Sequence, residues 1–249
     1  MASQAESLSI SNVINNIVGV IGRNPVIFIG LSLIIVGIPQ LLIGLFAANP
    51  ENTVDMMNVM NSPGAIIGGA AGYLVFLVVS VVLQASLIVA TTKDLAGQAV
   101  DFGSCINQAL GKLLPLIGLG IVVSIGVMIG FVLLIVPGVI LYLMWMVATP
   151  ALVVEDKGVF DAMSRSSELT SGSKWKLLGL IVVLIIFSFI IGIPFGLLAF
   201  MGPTVAMVGN AAASAISAAV SSAGVASVYV ELRRLKDGTD VGSLADVFA

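Results

Sequence analysis

Along the chain, long runs of Leu, Ile, Val, Phe, Ala and Gly are broken by short polar segments, and the runs are continuously apolar rather than alternating. A spanning helix needs about 20 consecutive, mostly apolar residues. Continuous apolarity favours helices over a barrel, whose strands alternate. Spans are read at Pro25–Ala48, Ala65–Ala90, Trp175–Met201 and Val205–Val230. The apolar run from Pro115 to Val154, about 40 residues, is too long for one crossing. It contains IVPGVI, Ile135 to Ile140, and a Pro-Gly pair breaks a helix and favours a turn. The run therefore divides into Pro115–Val136 and Val139–Val154. The fold class expected is all-α: a polytopic membrane protein with six transmembrane helices in three hairpins.

Each hairpin is preceded by a segment that reads as an interfacial amphipathic helix. Ile10, Val13, Ile14, Ile17, Val18 and Ile21 share one face before the first. Phe102, Cys105, Ile106, Ala109, Leu110 and Leu113 repeat that spacing before the third span, with Asp101 as its N-cap. Val159, Phe160 and Met163 begin a weaker stripe before the fifth, where Asp161 and Arg165 are spaced for an i,i+4 pair. The junctions match as well: Gly22-Arg23, Gly111-Lys112 and Gly172-Ser173-Lys174 each lead to a Gly-Leu a few residues on. This predicts three parallel copies of surface helix, span, span, over residues 8–92, 99–156 and 157–235. They form one membrane domain over residues 1–235, with a flexible cytoplasmic tail at 236–249. Because all three copies start on the same side, they are not the inverted repeats of many transporters.

Composition agrees with lipid as the solvent. Hydrophobic residues make up 59% of the chain, charged residues 9%, and the mean hydropathy is +1.17; a soluble domain carries about 25% charged residues. With six spans all ten Lys and Arg residues fall on one side of the membrane. The positive-inside rule makes that side cytoplasmic and puts both termini there. The net charge of −3 gives no basic surface for nucleic acid. A single cysteine, Cys105, excludes an intrachain disulfide. The first residues, MASQAESLS, lack a basic n-region, so a cleaved signal peptide is not expected.

One polar stretch stands apart. PALVVEDKGVFDAMSRSSELTSGSKW, Pro150 to Trp175, holds seven of the 23 charged residues. Read from its residues alone, it is a link between the second and third copies. Its helix would lie at the interface with its apolar side in lipid, stopped by Gly172 and anchored by Lys174, Trp175 and Lys176. The stretch also resembles the glycerophosphoryl diester phosphodiesterase membrane domain family of prokaryotic six-span proteins. The resemblance rests on Pro137, Gly138, Pro150, Leu152, Val153, Glu155, Ala162, Ser166, Leu169, Gly172 and Trp175. The sequence departs from that pattern at Met144, where family members often carry a basic residue before the tryptophan. The resemblance implies a multi-pass protein of the prokaryotic inner membrane and no established activity for the membrane part.

Candidate chemistry is sparse. There is no histidine, so acid–base or metal work would fall to carboxylates alone. Adjacent Glu155 and Asp156 point about 100° apart on a helix and make a poor acid pair. Cys105 sits on an apolar face without a base. No catalytic residue, cofactor or metal site is assigned. Gln40, Gln84 and Asn210 are the candidate intramembrane polar residues, joined by Ser80, Ser86 and Thr149. They would line a path or bond neighbouring helices, the latter typically worth about 0.6 kcal/mol each. Gly64, Gly68 and Gly72, Gly126 and Gly130, and Gly192 and Gly196 stand four apart and suit close helix packing. The small residues of NAAASAISAAVSSAGVAS, Asn210 to Ser227, suit burial in the bundle centre or between subunits. The function expected is a non-catalytic membrane scaffold or lipid-interacting module, with membrane lipids and a homo-oligomer as partners. The alternatives are a channel or carrier for a small or lipid-like solute, and a membrane subunit supporting an enzyme encoded elsewhere.

Overall fold

The computed structural model describes residues 8–47 and 63–238. The expected non-cytoplasmic loop at 49–62 and the tail from 239 lie outside the described residues. Among the described residues every regular element is helical and no strand is present. Helix α1 is Ile10–Arg23. Two π-helical turns, Val26–Gly30 and Leu33–Gly37, run into α2, Ile38–Ala47. Next come α3, Pro63–Leu95, and α4, Phe102–Gly111. They are followed by α5, Leu113–Leu133, α6, Ile135–Trp145, and the short α7, Ala148–Val154. After α8, Val159–Thr170, the chain runs through α9, Lys174–Leu197, a 3-10 turn at Leu198–Met201, and α10, Pro203–Asp237.

Five stretches are long and apolar enough to cross a membrane: Ala70–Leu95, Leu113–Leu133, Ile135–Val154, Lys174–Leu197 and Pro203–Asp237. A sixth is added if Ile10–Arg23 and Val26–Leu42, bent by 85° against each other, count as one broken span. The chain is thus a multi-pass membrane protein. The bend has a local cause. Pro25 disfavours helical backbone at the residue before it, and Asn24 leaves the helix at φ −129°, ψ 52°.

The turn in the long apolar run does not fall at Pro137–Gly138. The break is at Leu134, in extended backbone at φ −166°, ψ 154°. Pro137 lies in the first turn of α6, where its missing N–H costs no helical bond. The proline therefore starts the second helix rather than ending the first. Across the turn the helices almost touch. A Cβ on Gly130 would stand 2.9 Å from the Gly138 Cα, one on Gly138 2.5 Å from the Phe131 ring, and one on Gly126 2.6 Å from the Trp145 ring. Residue 130 meeting 138 and 126 meeting 145 make α5 and α6 antiparallel about Leu134.

Helix α10 is the centre of the bundle. Ala211, Ala215, Ala219, Ala223 and Ala226 are buried along it, and α1, the first span, α3 and α9 all pack against it. The small side chains let backbones approach: a Cβ on Gly37 would lie 3.4 Å from the Ala211 carbonyl, and one on Gly209 3.2 Å from the Phe195 carbonyl. Gly202, at φ 120°, makes the tight return from α9 in a backbone conformation that other residues rarely adopt, and Pro203 opens α10. The helix continues to Asp237, so Lys236 and Asp237, read from the sequence as flexible tail, are helical; Gly238, at φ 61°, ends it.

The remaining period-four glycines are placed differently. A Cβ on Gly64, Gly68, Gly72, Gly192 or Gly196 would meet nothing within 4 Å. These glycines face outward and pack no helix among the described residues.

Of the three short helices before the spans, α4 carries the expected cap, Asp101 accepting from the Ser104 N–H, and α1 carries one the sequence reading did not name, Ser9 accepting from the Asn12 N–H. Their apolar faces turn inward. Val13, Ile17 and Val20 of α1 are buried, as are Cys105 and Ala109 of α4, and Ala162, Met163 and Leu169 of α8. The expectation that the α8 stripe would lie in lipid is thus met only by Phe160, which is exposed, as are Val18 on α1 and Leu110 on α4.

Gly138→Ala should destabilise the protein by about 1–3 kcal/mol, because its Cβ would collide with Phe131. Gly68→Ala, facing open space, should shift the thermal midpoint in detergent far less. Equal shifts for the two would refute the close approach.

Candidate functional site

The polar end of the bundle is built around the exit of α7. All six buried residues of this helix, Ala148 and Pro150 to Val154, are packed by neighbours, so Glu155 emerges from apolar surroundings into a turn. The next residue, Asp156, adopts φ 53°, a left-handed conformation that Asp tolerates better than most residues. The turn then brings the chain back as α8.

Glu155 gathers three elements. Arg165 of α8 donates Nε to both carboxylate oxygens at 3.2 and 3.1 Å. Tyr229 of α10 donates its hydroxyl at 2.8 Å. Lys157 stands 3.6 Å away. The other face of the Arg165 guanidinium reaches Glu168 at 3.2 Å and Asp237, the last residue of α10, at 2.5 Å. Arg233 stands 3.5 Å from Asp237 as an ion pair without hydrogen-bond geometry, and its Nη1 donates to the Tyr229 hydroxyl at 3.5 Å. The side chains of Glu155 and Arg165 are only 11% and 16% exposed, so this is a desolvated network rather than a surface pair. Burial works against the charge on Arg165, but the hydrogen bond to Asp237 and the charge of Glu155 outweigh it, and its pKa is raised.

The expected Asp161–Arg165 pair is absent among the described residues, because Arg165 is turned inward to Glu155, Glu168 and Asp237. Helix α4 is tied to the same turn. Gln108 donates to the Val153 carbonyl at 3.3 Å, satisfying one of the last carbonyls of α7, and Lys112 pairs with Asp156.

A second polar contact explains Ser166. Between α6 and α7 the helix breaks at Val147, φ −103°, ψ 18°, so the Met144 carbonyl loses the helical N–H partner that residue 148 would supply. The Ser166 hydroxyl donates to the Met144 carbonyl at 2.7 Å and Thr170 reaches it at 3.4 Å. Both hydroxyl side chains are buried. Met144, where the sequence departs from the family pattern, enters the contact through its backbone.

The remaining signature residues have structural places. Gly138 makes the helix contact described above. Pro150, Ala162 and Leu169 are buried, and Gly172, at φ 81°, ends α8. Trp175 is 86% exposed at the start of α9. Of the intramembrane polar residues, Gln84 is exposed and lines a pocket of ≈ 150 Å³ with Ser124, Trp145 and Thr149. Gln40 and Asn210 are exposed elsewhere and do not line it, so the three do not converge there. Cys105 is fully buried, and burial pushes its thiol pKa up. No group of three or more Asp, Glu, His or Cys suited to a metal ion occurs among the described residues.

Sequence reasoning missed Tyr229, Arg233 and Asp237. The signal was present: they stand at i, i+4 and i+8 at the polar end of the small-residue span, which is one face of a helix. Gln108 left no such signal, because its partner is a backbone carbonyl.

Residues 51–223 match the profile described as uncharacterised protein family UPF0259. The chain belongs to that family. The match covers α3 to α9 and most of α10, including Glu155 and Arg165, and ends before Tyr229. Nothing in it links the chain to the glycerophosphoryl diester phosphodiesterase membrane domain. Neither the curated proteins nor the solved structures contain a significant match.

Glu155→Ala should cost about 1–3 kcal/mol by leaving the buried Tyr229 hydroxyl and the Arg165 Nε without their acceptor, and Ser166→Ala about 1–3 kcal/mol by uncovering the Met144 carbonyl. Thermal unfolding in detergent measures both, and shifts no larger than those of an exposed control, Ser164→Ala, would refute the assignment. Cys105 should react with a thiol reagent at neutral pH much more slowly in the folded protein than in denaturant; equal rates would contradict its burial.

Proposed function

We propose that the protein is a non-catalytic integral membrane module that serves as a scaffold or interacts with lipid. The observation that carries this reading is the use made of its charges. Glu155, Arg165, Tyr229 and Asp237 tie the ends of α7, α8 and α10 together at one end of an apolar bundle. Their donors and acceptors are spent on one another, as suits a clamp that fixes shape.

The same clamp pattern supports three hairpins in parallel. Arg23 pairs with Asp94, Lys112 with Asp156 and Arg165 with Asp237. Each pair joins a base in or just after a short helix to an acid at the end of the second span that follows. In this reading the short helices form a collar on the cytoplasmic face of a prokaryotic inner membrane, and both termini lie on that face. Residues 1–235 act as one domain. The outward glycines Gly64, Gly68, Gly72, Gly192 and Gly196 are open to helices of a second copy. The likeness of Pro150–Trp175 to the glycerophosphoryl diester phosphodiesterase membrane domain family belongs with this reading. The rival, a channel or carrier for a small or lipid-like solute, is favoured by one observation: Gln84, Ser124 and Thr149 share a pocket between helices.

Two measurements decide between them. Native mass spectrometry of the protein released from lipid nanodiscs should give a defined oligomer that retains lipid. Liposomes carrying the protein should show no ion or small-solute flux above protein-free liposomes. Flux that Gln84→Ala abolishes would overturn the scaffold reading in favour of the carrier.

A further inference from the structure

The clamp leaves a remainder. Seven of the ten basic residues have partners: Arg23, Lys112, Lys157, Arg165 and Arg233 in ion pairs, Lys93 on Ser104, and Arg234, which also has an interaction. Among the described residues, Lys174, Lys176 and Lys236 make no hydrogen bond or ion pair. All three are in the last third of the chain; Lys236 lies in a pocket, Lys174 follows one of its walls, and Lys176 points about 200° away from Lys174 around α9.

Lys236 lines a pocket of ≈ 660 Å³ between α8 and the end of α10. Its other walls are the Trp145 indole, Met163, Glu168 and the hydroxyl-bearing Ser164, Ser167 and Ser171. Ser164 and Ser167 stand at i and i+3 on one face of α8, and Ser171 follows its last residue. Glu168, the one acid in the wall, is already held by Arg165 at 3.2 Å. Lys174 follows Ser171 by three residues and so lies within about 11 Å of it by chain length alone. Trp175, 86% exposed between Lys174 and Lys176, stands where an aromatic ring anchors at the membrane interface. The helices α6, α9 and α10 also enclose an apolar groove of ≈ 530 Å³, walled by Tyr142, Met146, Ile181, Leu184, Phe189 and Val225 among others. Uncommitted ammonium groups and hydroxyls at the polar end, with an apolar groove on the same helices, complement one kind of molecule. It has an anionic head and a hydrocarbon chain.

We propose that this corner binds an anionic phospholipid, its phosphate held by Lys236 and the hydroxyls of Ser164, Ser167 and Ser171, with Lys174 near the rim and an acyl chain in the groove. The inference rests on the lipid-interacting reading above and narrows it to a headgroup class. An unpaired lysine near an anionic membrane surface is worth about fivefold in binding. The hydroxyls that line the pocket add hydrogen-bond donors to a phosphate beyond the attraction of charge alone.

The test uses the full chain in nanodiscs of phosphatidylcholine doped with phosphatidylglycerol, read by native mass spectrometry of the lipid retained on release. The wild-type protein should retain phosphatidylglycerol above its bulk proportion. Lys236→Gln should lower that enrichment about fivefold, and Lys174→Gln/Lys236→Gln should abolish it with helicity unchanged. Lys93→Gln, which removes the same charge where the lysine already has a partner, should leave it intact. An equal loss with Lys93→Gln would show diffuse attraction and overturn the site. Retention of both lipids in their bulk proportions would overturn the headgroup site while leaving the lipid-interacting reading standing. No retained lipid at all would bring down both. An inorganic phosphate adduct lost with Lys236→Gln, without phosphatidylglycerol enrichment, would reassign the pocket to free phosphate.

Discussion

A carboxylate leaving an apolar bundle must be neutralised at once, and Glu155 sets the terms for the polar end of this protein. It follows the packed helix α7 directly, so its charge cannot be left to bulk water. Arg165, Tyr229 and Lys157 meet it there. Because Arg165 also holds Asp237, the neutralisation of one residue positions α8 across the ends of two spans. Continuum reasoning gives such buried networks little net stability compared with an apolar core of the same volume. Their value lies in direction, since a hydrogen-bonded ion pair accepts far fewer geometries than a leucine contact does.

The rest of the bundle obeys a different constraint. Lipid tails are as apolar as leucine, so helices gain nothing by hiding apolar surface from them, and close backbone contact decides the packing. The chain meets this with glycine at the α5–α6 turn and with alanine along α10. Where the Met144 carbonyl loses its helical partner, at the break at Val147, hydroxyls of a neighbouring helix replace it. The polar end and the apolar body thus meet at Ser166 and Thr170, which sit on the same short helix as Arg165.

Much of this was legible in the sequence, for physical reasons. Apolar runs in lipid must be helical, so the span at Lys174–Leu197 and the length of the 113–154 run read directly. The break in that run did not fall where Pro137 suggested, because a proline serves equally well at the start of a helix as at the end of one. The caps at Ser9 and Asp101 depend on residues three apart and were readable for α4. The long-range partners of the Glu155–Arg165 pair were hidden, since Tyr229 lies more than seventy residues from Glu155 and Asp237 more than seventy from Arg165, and the choice of Arg165 between Asp161 and Glu155 is made by packing. The outward glycines show the same limit: spacing marks a face that could be approached closely, and cannot say whether a partner is in reach.

The central place of α10 bears on how the protein is made. The helices leave the ribosome in chain order, and α10 comes after every other described span. Until it emerges, α1, the first span, α3 and α9 lack the surface that joins them, and Glu155 lacks the Tyr229 hydroxyl. Earlier helices already have surfaces for one another, as α3 has for α4 and α5, but the bundle lacks its centre until α10 has been inserted. A nascent chain halted before Pro203 holds the hairpin at Leu134 but has no centre, which makes it a natural substrate for membrane quality control.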